Sequence, residues 1–156
     1  MKNKKLFIVL LISITIILLL YYVFGQGHRY AKSYANRLFA YQLPEKTKII
    51  EKDFDYGVLY GGGPRGSGGY PTMVAHMKLS SELSEKEIFN HYNKNKFEIF
   101  FEGYETIKKN SEGKKWYEGQ KSTGKTLSDE MNKDEPINFI VQYRTEFNYP
   151  FFIDFH

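Results

Sequence analysis

Residues Gly119 to Thr126 read "GQKSTGKT", which fits the pattern G-x-x-x-x-G-K-[ST]. In a nucleotide-binding loop these glycines let backbone N–H groups cradle phosphates, the lysine reaches the terminal phosphates, and the last hydroxyl holds Mg²⁺. Such a loop needs a buried strand before it and a long amphipathic helix after it. Here the polar "KKWYE" precedes it, and "LSDEMNKDEP" follows with only Leu127 and Met131 apolar before Pro136. No acidic residue at the end of a hydrophobic strand follows to hold the metal. The segment reads as a solvated loop, and no nucleotide is expected.

Two further matches fail on context in the same way. "GGGPRG", Gly61 to Gly66, fits G-x-G-x-x-G but leads through Gly68, Gly69 and Pro71 into a strand, where a dinucleotide site requires a helix. "STGK", Ser122 to Lys125, fits the S-x-x-K of penicillin-recognising enzymes, which need further motifs and a larger chain. The Gly61–Gly69 loop keeps some interest, because loops often carry function. Tyr56, Tyr60 and Tyr70 flank it and Arg65 lies within it, a candidate groove for a glycan or peptide. His28, His76, His91 and His156 show no spacing suited to a metal or a catalytic triad, and surface positions are expected for them. No catalytic residue, metal ligand or cofactor is therefore expected.

The chain has 156 residues and no cysteine. That rules out disulfides, cysteine-ligated metals and a cysteine nucleophile, and a lipid anchor on an N-terminal cysteine. The formal net charge is +4, but it is uneven. Setting aside Lys2, Lys4 and Lys5 leaves 19 basic residues against 18 acidic ones, a net of +1. So balanced a domain has little attraction for a polyanion, and nucleic acid is not expected as a partner.

The elements that would hold any site begin with a membrane segment. "LFIVLLISITIILLLYYVF", Leu6 to Phe24, carries no charge. As a helix it spans about 28 Å, close to the hydrocarbon thickness of a bilayer. Tyr21 and Tyr22 stand where an interfacial aromatic belt belongs. An uncleaved signal anchor is expected; a cleaved signal peptide is the competing reading, since "VFGQG" offers small residues for cleavage. Arg29, Lys32 and Arg37 follow the span, but the lysines before it are denser and closer. The positive-inside rule then puts residues 1–5 in the cytoplasm and the C-terminal domain outside the cell membrane.

After a hinge at "GQG", Gly25 to Gly27, an amphipathic helix is expected up to Pro44, with Tyr30, Tyr34, Leu38 and Tyr41 on its apolar face. Residues 25–44 form this juxtamembrane part and residues 45–156 the extracytoplasmic domain. "TKII" and "YGVLY" read as two strands either side of a turn-like "DFD". "TMVAHMKL" alternates cleanly, with Met73, Ala75, Met77 and Leu79 on one face. In "LSEKEIFNHYNK", Ser84 and Glu87 form a capping box, Leu83 and Ile88 a staple, and Ile88, Phe89 and Tyr92 a buried stripe. A hairpin turning at Asn110 to Gly113 follows, then a strand over "INFIVQYRTEF" and a last one over "FFIDF". The sum is an α+β domain: an antiparallel sheet with one or two helices packed on one face.

The lysine-led span, the missing cysteines and "SSELSEKEIFNHYNK" after an alternating strand resemble uncharacterised small single-pass membrane proteins of Bacillus-type Gram-positive bacteria. The resemblance implies an architecture and carries over no catalytic or binding residue. The expected role is a membrane-anchored extracytoplasmic binding or interaction module without catalysis, held in the membrane by residues 6–24. Its partner would be an envelope protein or a cell-wall component. The alternatives are a small envelope enzyme with its site near the Gly61–Gly69 loop, or a regulator acting through its transmembrane helix.

Overall fold

A computed structural model of the chain describes residues 2–57, 72–122, 124, 127–131 and 135–146. The order is α1 (Lys2–Phe24), α2 (Gln26–Phe39), β1 (Thr47–Gly57), β2 (Thr72–Ser81), α3 (Glu85–Tyr92), β3 (Glu98–Phe101), β4 (Glu105–Lys109), β5 (Lys115–Gly119) and β6 (Ile137–Glu146). A short 3₁₀ turn, Asn93–Asn95, follows α3. One antiparallel sheet has the order β1-β2-β6-β3, and β4-β5 form a separate hairpin. The expected α+β architecture is present.

Helix α1 is long and apolar enough to cross a membrane, and its side chains from Lys4 to Tyr22 are exposed. The "GQG" segment is not an open hinge. Gly25 is itself right-handed helical, its N–H donates to the Tyr21 carbonyl at 2.9 Å, and its carbonyl accepts from Arg29 at 3.3 Å. The Arg29 guanidinium donates to the Tyr22 carbonyl and lies 4.4 Å from the Tyr22 ring centroid. A Cβ at residue 25 would stand 2.8 Å from Arg29 Nη1 and 2.9 Å from the Tyr21 carbonyl, so this joint requires glycine.

Helices α2 and α3 cover the same sheet face. Ala31, Ala35 and Leu38 of α2 and Ile88 and Tyr92 of α3 share one buried cluster with Met73, Ala75, Met77, Leu79, Phe139 and Val141. Burying a side chain of Leu, Ile or Phe size contributes about 1.5–3 kcal/mol, so this cluster is the main source of stability. The buried stripe of α2 differs from the tyrosine face expected. Gly27, Ala31 and Ala35 are buried, while Tyr30 is exposed and Tyr34 half-buried at the rim. Small residues let the helix axis approach the sheet, and the tyrosines are pushed to its margin.

The capped helix is as expected. Glu87 N–H donates to Ser84 Oγ at 3.3 Å, and Ser84 N–H donates to Glu87 Oε2 at 3.0 Å. Ile88 and Tyr92 are fully buried, whereas Phe89 is only partly so.

Two strands depart from the sequence reading. β1 is a single strand with a bulge between Ile49 and Glu51, not two strands around a turn. The aspartates of "DFD" have low strand propensity, yet Phe54 stays in register with Ala75, while Asp55 accepts from the Lys115 backbone N–H at 2.9 Å. Strand β3, unassigned in the sequence, follows a left-handed Lys96 (φ 58°) and pairs with β6 from Ile99↔Val141 to Phe101↔Phe139. The expected final strand over "FFIDF" lies outside the described residues.

Candidate functional site

The alternation that buries Met73, Ala75, Met77 and Leu79 under the helices sends Thr72, Val74, His76 and Lys78 to the other face. That face is covered too. The β4-β5 hairpin folds over it, with Trp116 against Val74 and Tyr117 against Phe100 and Ile140. Between these apolar contacts lies a row of polar residues in cross-strand register: Asp53↔His76, His76↔Gln142 and Gln142↔Glu98. Of this row His76 and Gln142 are buried, Glu98 is half-buried and Asp53 is exposed.

Gln142 is fully buried and uses both ends of its amide. Its Oε1 accepts from the Tyr117 backbone N–H at 2.8 Å, and its Nε2 donates to the Tyr117 carbonyl at 2.9 Å and to Glu98 Oε2 at 2.7 Å. Glu98 also accepts from Arg144 and Lys121. Burial pushes the Glu98 carboxyl up, but the hydrogen bonds from Arg144, Lys121 and Gln142 outweigh it, and the net position is below the usual carboxylate range.

At the other end of the row, Lys115 donates to Glu51 Oε1 at 2.9 Å. That hydrogen bond lowers the Glu51 pKa and raises that of Lys115. The pair is partly exposed, so its net worth is of the order of 1 kcal/mol or less.

His76 stands between these two ion-paired groups and is 1% exposed. Neither ring nitrogen has a hydrogen-bond partner among the described residues. The ring meets Tyr117 edge-on at 5.1 Å, and Nε2 lies 4.0 Å from Glu51 Oε1. Desolvation lowers the His76 pKa, and Lys115 adds to it; Asp53, Glu51 and Asp55 act the other way and do not prevail. The imidazole is therefore neutral at pH 7, and its approach to Glu51 is not an ion pair there. Chemically the layer offers one neutral imidazole closed off from solvent, with the carboxylates of Glu98 and Glu51 on either side of it held in ion pairs. It can hold the hairpin and respond to protons, but no substrate reaches the ring in this conformation.

A cavity of about 100 Å³ opens elsewhere, lined by Glu85, Phe101, Tyr104, Gln120, Lys121, Ser122 and Leu127. Small-molecule sites generally measure about 300–1,000 Å³, so it is undersized for one. Among the described residues no three metal-ligating side chains converge.

The structure separates the residues singled out in the sequence. Tyr56 is half-buried at the sheet margin; its ring is 6.4 Å from Phe54 and 5.8 Å from His28, with Lys114 Nζ 5.8 Å from its centroid. Tyr60, Arg65 and Tyr70 lie outside the described residues, so no groove is assembled from the four. In "GQKSTGKT", Gly119 ends β5 with φ +147°, and a Cβ there would lie 2.0 Å from the Tyr104 carbonyl. Gly124, φ +80°, packs under the Phe89 ring. The residues Leu127 to Met131 are not helical, while Thr123, Lys125 and Thr126 lie outside the described residues. Both glycines of the motif answer to local packing.

The expectation that the histidines lie at the surface is corrected at two positions. His76 is buried under the hairpin. His91 is half-buried; its Nε2 donates to the Gln42 carbonyl at 2.6 Å, and its ring meets Tyr41 and Tyr92 edge-on. His156 lies outside the described residues. The sequence did hold a signal for a second covered face: Val74, Phe100 and Ile140 are apolar at positions alternate to the first core.

No protein-family model, no curated protein and no solved structure matches this chain.

Proposed function

We propose that the protein is a single-pass, membrane-anchored interaction module whose domain lies outside the cytoplasm and engages an envelope protein or wall component without catalysis. The observation that carries this reading is the outer edge of β1. This 11-residue strand pairs only with β2 among the described residues. Ile49 and Ile50 are exposed there, 41% and 53%, at the bulge. An uncovered edge is a template for an added strand, with main-chain hydrogen bonds giving affinity and side chains giving selectivity. Lys48, Glu51, Lys52 and Asp53 flank the two isoleucines and restrict pairing to a strand of complementary charge. The joint at Gly25 and Arg29 supports the anchored role, since it ties α1 directly to a helix that is part of the domain core.

The test is made in intact cells with a photo-crosslinking residue at Ile50 and, as control, at Lys108. A discrete adduct from Ile50 that is absent from Lys108, and lost with Ile49→Lys, is expected. Equal or absent crosslinking at both positions would overturn the reading. The cysteine-free chain also allows Gln120→Cys to be labelled alone; a membrane-impermeant maleimide should reach it in intact cells, and protection would place the domain inside.

A further inference from the structure

We infer that the outer face of α2 is a docking surface for anionic phospholipid headgroups, and that it lays α2 along the membrane from which α1 emerges. The inference rests on the anchored reading of α1. Helix α2 begins two residues after α1 ends. Its Gly27, Ala31, Ala35 and Leu38 face is taken up by the sheet, which leaves Arg29, Lys32, Ser33, Asn36 and Arg37 exposed on the other side.

Three of those five are cationic, and no acidic residue occurs before Glu45. Among the described residues none of the three has a carboxylate at ion-pair distance. Elsewhere on the surface Lys86, Lys114, Lys115 and Lys121 pair with acids. In the element nearest the membrane the charge is all of one sign, since the first acid in the chain is Glu45.

Arg29 sets the depth. Its guanidinium holds the Tyr22 carbonyl at the end of the span, which puts it at headgroup level with N–H donors to spare. Lys32 follows by about one helical turn and Arg37 by about 12 Å at 1.5 Å per residue. Upright, α2 would carry Arg37 beyond the roughly 8–10 Å reach of an unscreened surface charge. Lying down, it presents all three cations to phosphates. Each basic residue near an anionic leaflet strengthens association about five-fold, so Lys32 and Arg37 together should shift the docked population roughly 25-fold.

The experiment uses the full chain carrying Asn36→Cys with an environment-sensitive fluorophore. It is reconstituted in phosphatidylcholine vesicles with or without phosphatidylglycerol at about one lipid in three. Nitroxide-labelled headgroups should quench the label strongly only when phosphatidylglycerol is present. The quenching should fall in about 0.5 M salt and in the Lys32→Gln/Arg37→Gln variant, whose substituted side chains are exposed and whose thermal melt should match the parent. Equal quenching in the two lipids, or quenching unaffected by the double substitution, would overturn the inference while leaving the anchor intact. Failure to float with either vesicle would overturn the anchored reading and this inference with it.

Discussion

The side-chain amide of Gln142 pairs with both backbone groups of Tyr117, at 2.8 and 2.9 Å, as a neighbouring strand would. One residue of β6 thereby docks the hairpin onto the sheet where no backbone ladder joins them. Gln142→Leu keeps the volume but strands the Tyr117 N–H and carbonyl, each a loss of about 1–3 kcal/mol when buried. Denaturation of the detergent-solubilised chain should show this loss. Amide exchange should accelerate across β5 while α3 stays protected; unchanged exchange at Tyr117 would mean that Gln142 does not hold the hairpin.

The capped helix ranks its own residues. Ser84→Ala should cost about 1 kcal/mol. Ile88→Ala, at a fully buried position, should cost about 2–5 kcal/mol. Phe89 is only partly buried, so Phe89→Ala should cost less than the roughly 3–5 kcal/mol of a fully buried aromatic. Chemical denaturation of the three variants tests the order, and a Phe89 loss exceeding that of Ile88 would make Phe89 the anchor of the helix instead.

Gly119 opens the phosphate-loop-like motif for a reason unrelated to phosphate. Its φ of +147° is strained for any side chain, and the Tyr104 carbonyl, which accepts from Gln120 N–H at 3.2 Å, fills the space of a Cβ. Gly119→Ala should destabilise the hairpin by at least about 1–3 kcal/mol from backbone strain alone. Amide exchange at Gln120 reports it, and a wild-type exchange rate there would show that the hairpin closes without a glycine.

His76 makes stability depend on pH. Its folded pKa lies below the ordinary 6.5 because of burial and Lys115. The unfolded chain therefore binds the proton more readily, and the stability tied to the neutral ring is whole above that value. It is lost as the pH falls through the folded pKa. Glu51, Asp53 and Asp55 of β1, Lys78 of β2, Arg144 of β6, Glu98 of β3 and Lys115 and Tyr117 of β5 all face this layer. Of these, Glu98 and Glu51 add losses of the same sign, starting below 4.5. The denaturation midpoint should drop as the pH falls below about 6.5, and His76→Leu should flatten the first part of that drop, because an apolar group of similar size has no proton to take up. An equally steep drop in the variant would assign the dependence elsewhere.

The sequence by itself determined whatever depends on neighbours in the chain. The uncharged run of α1, the Ser84–Glu87 cap, the hairpin turn at Asn110 to Gly113 and the alternation in β2 and β6 are local patterns, and their elements are present. Tertiary structure decided what depends on distant partners. β1 continues through "DFD" because β2 pairs with it along its length and the hairpin, 60 residues on, takes up Asp55. Four-residue β3 has too short a pattern to announce itself and exists by pairing with β6. The burial of His76 was invisible for the same reason. Alternation says that two faces exist, but only the folding of Trp116 and Tyr117 across the second face excludes water from it. Periodicity is a property of the chain, whereas burial depends on what else the chain brings to that surface.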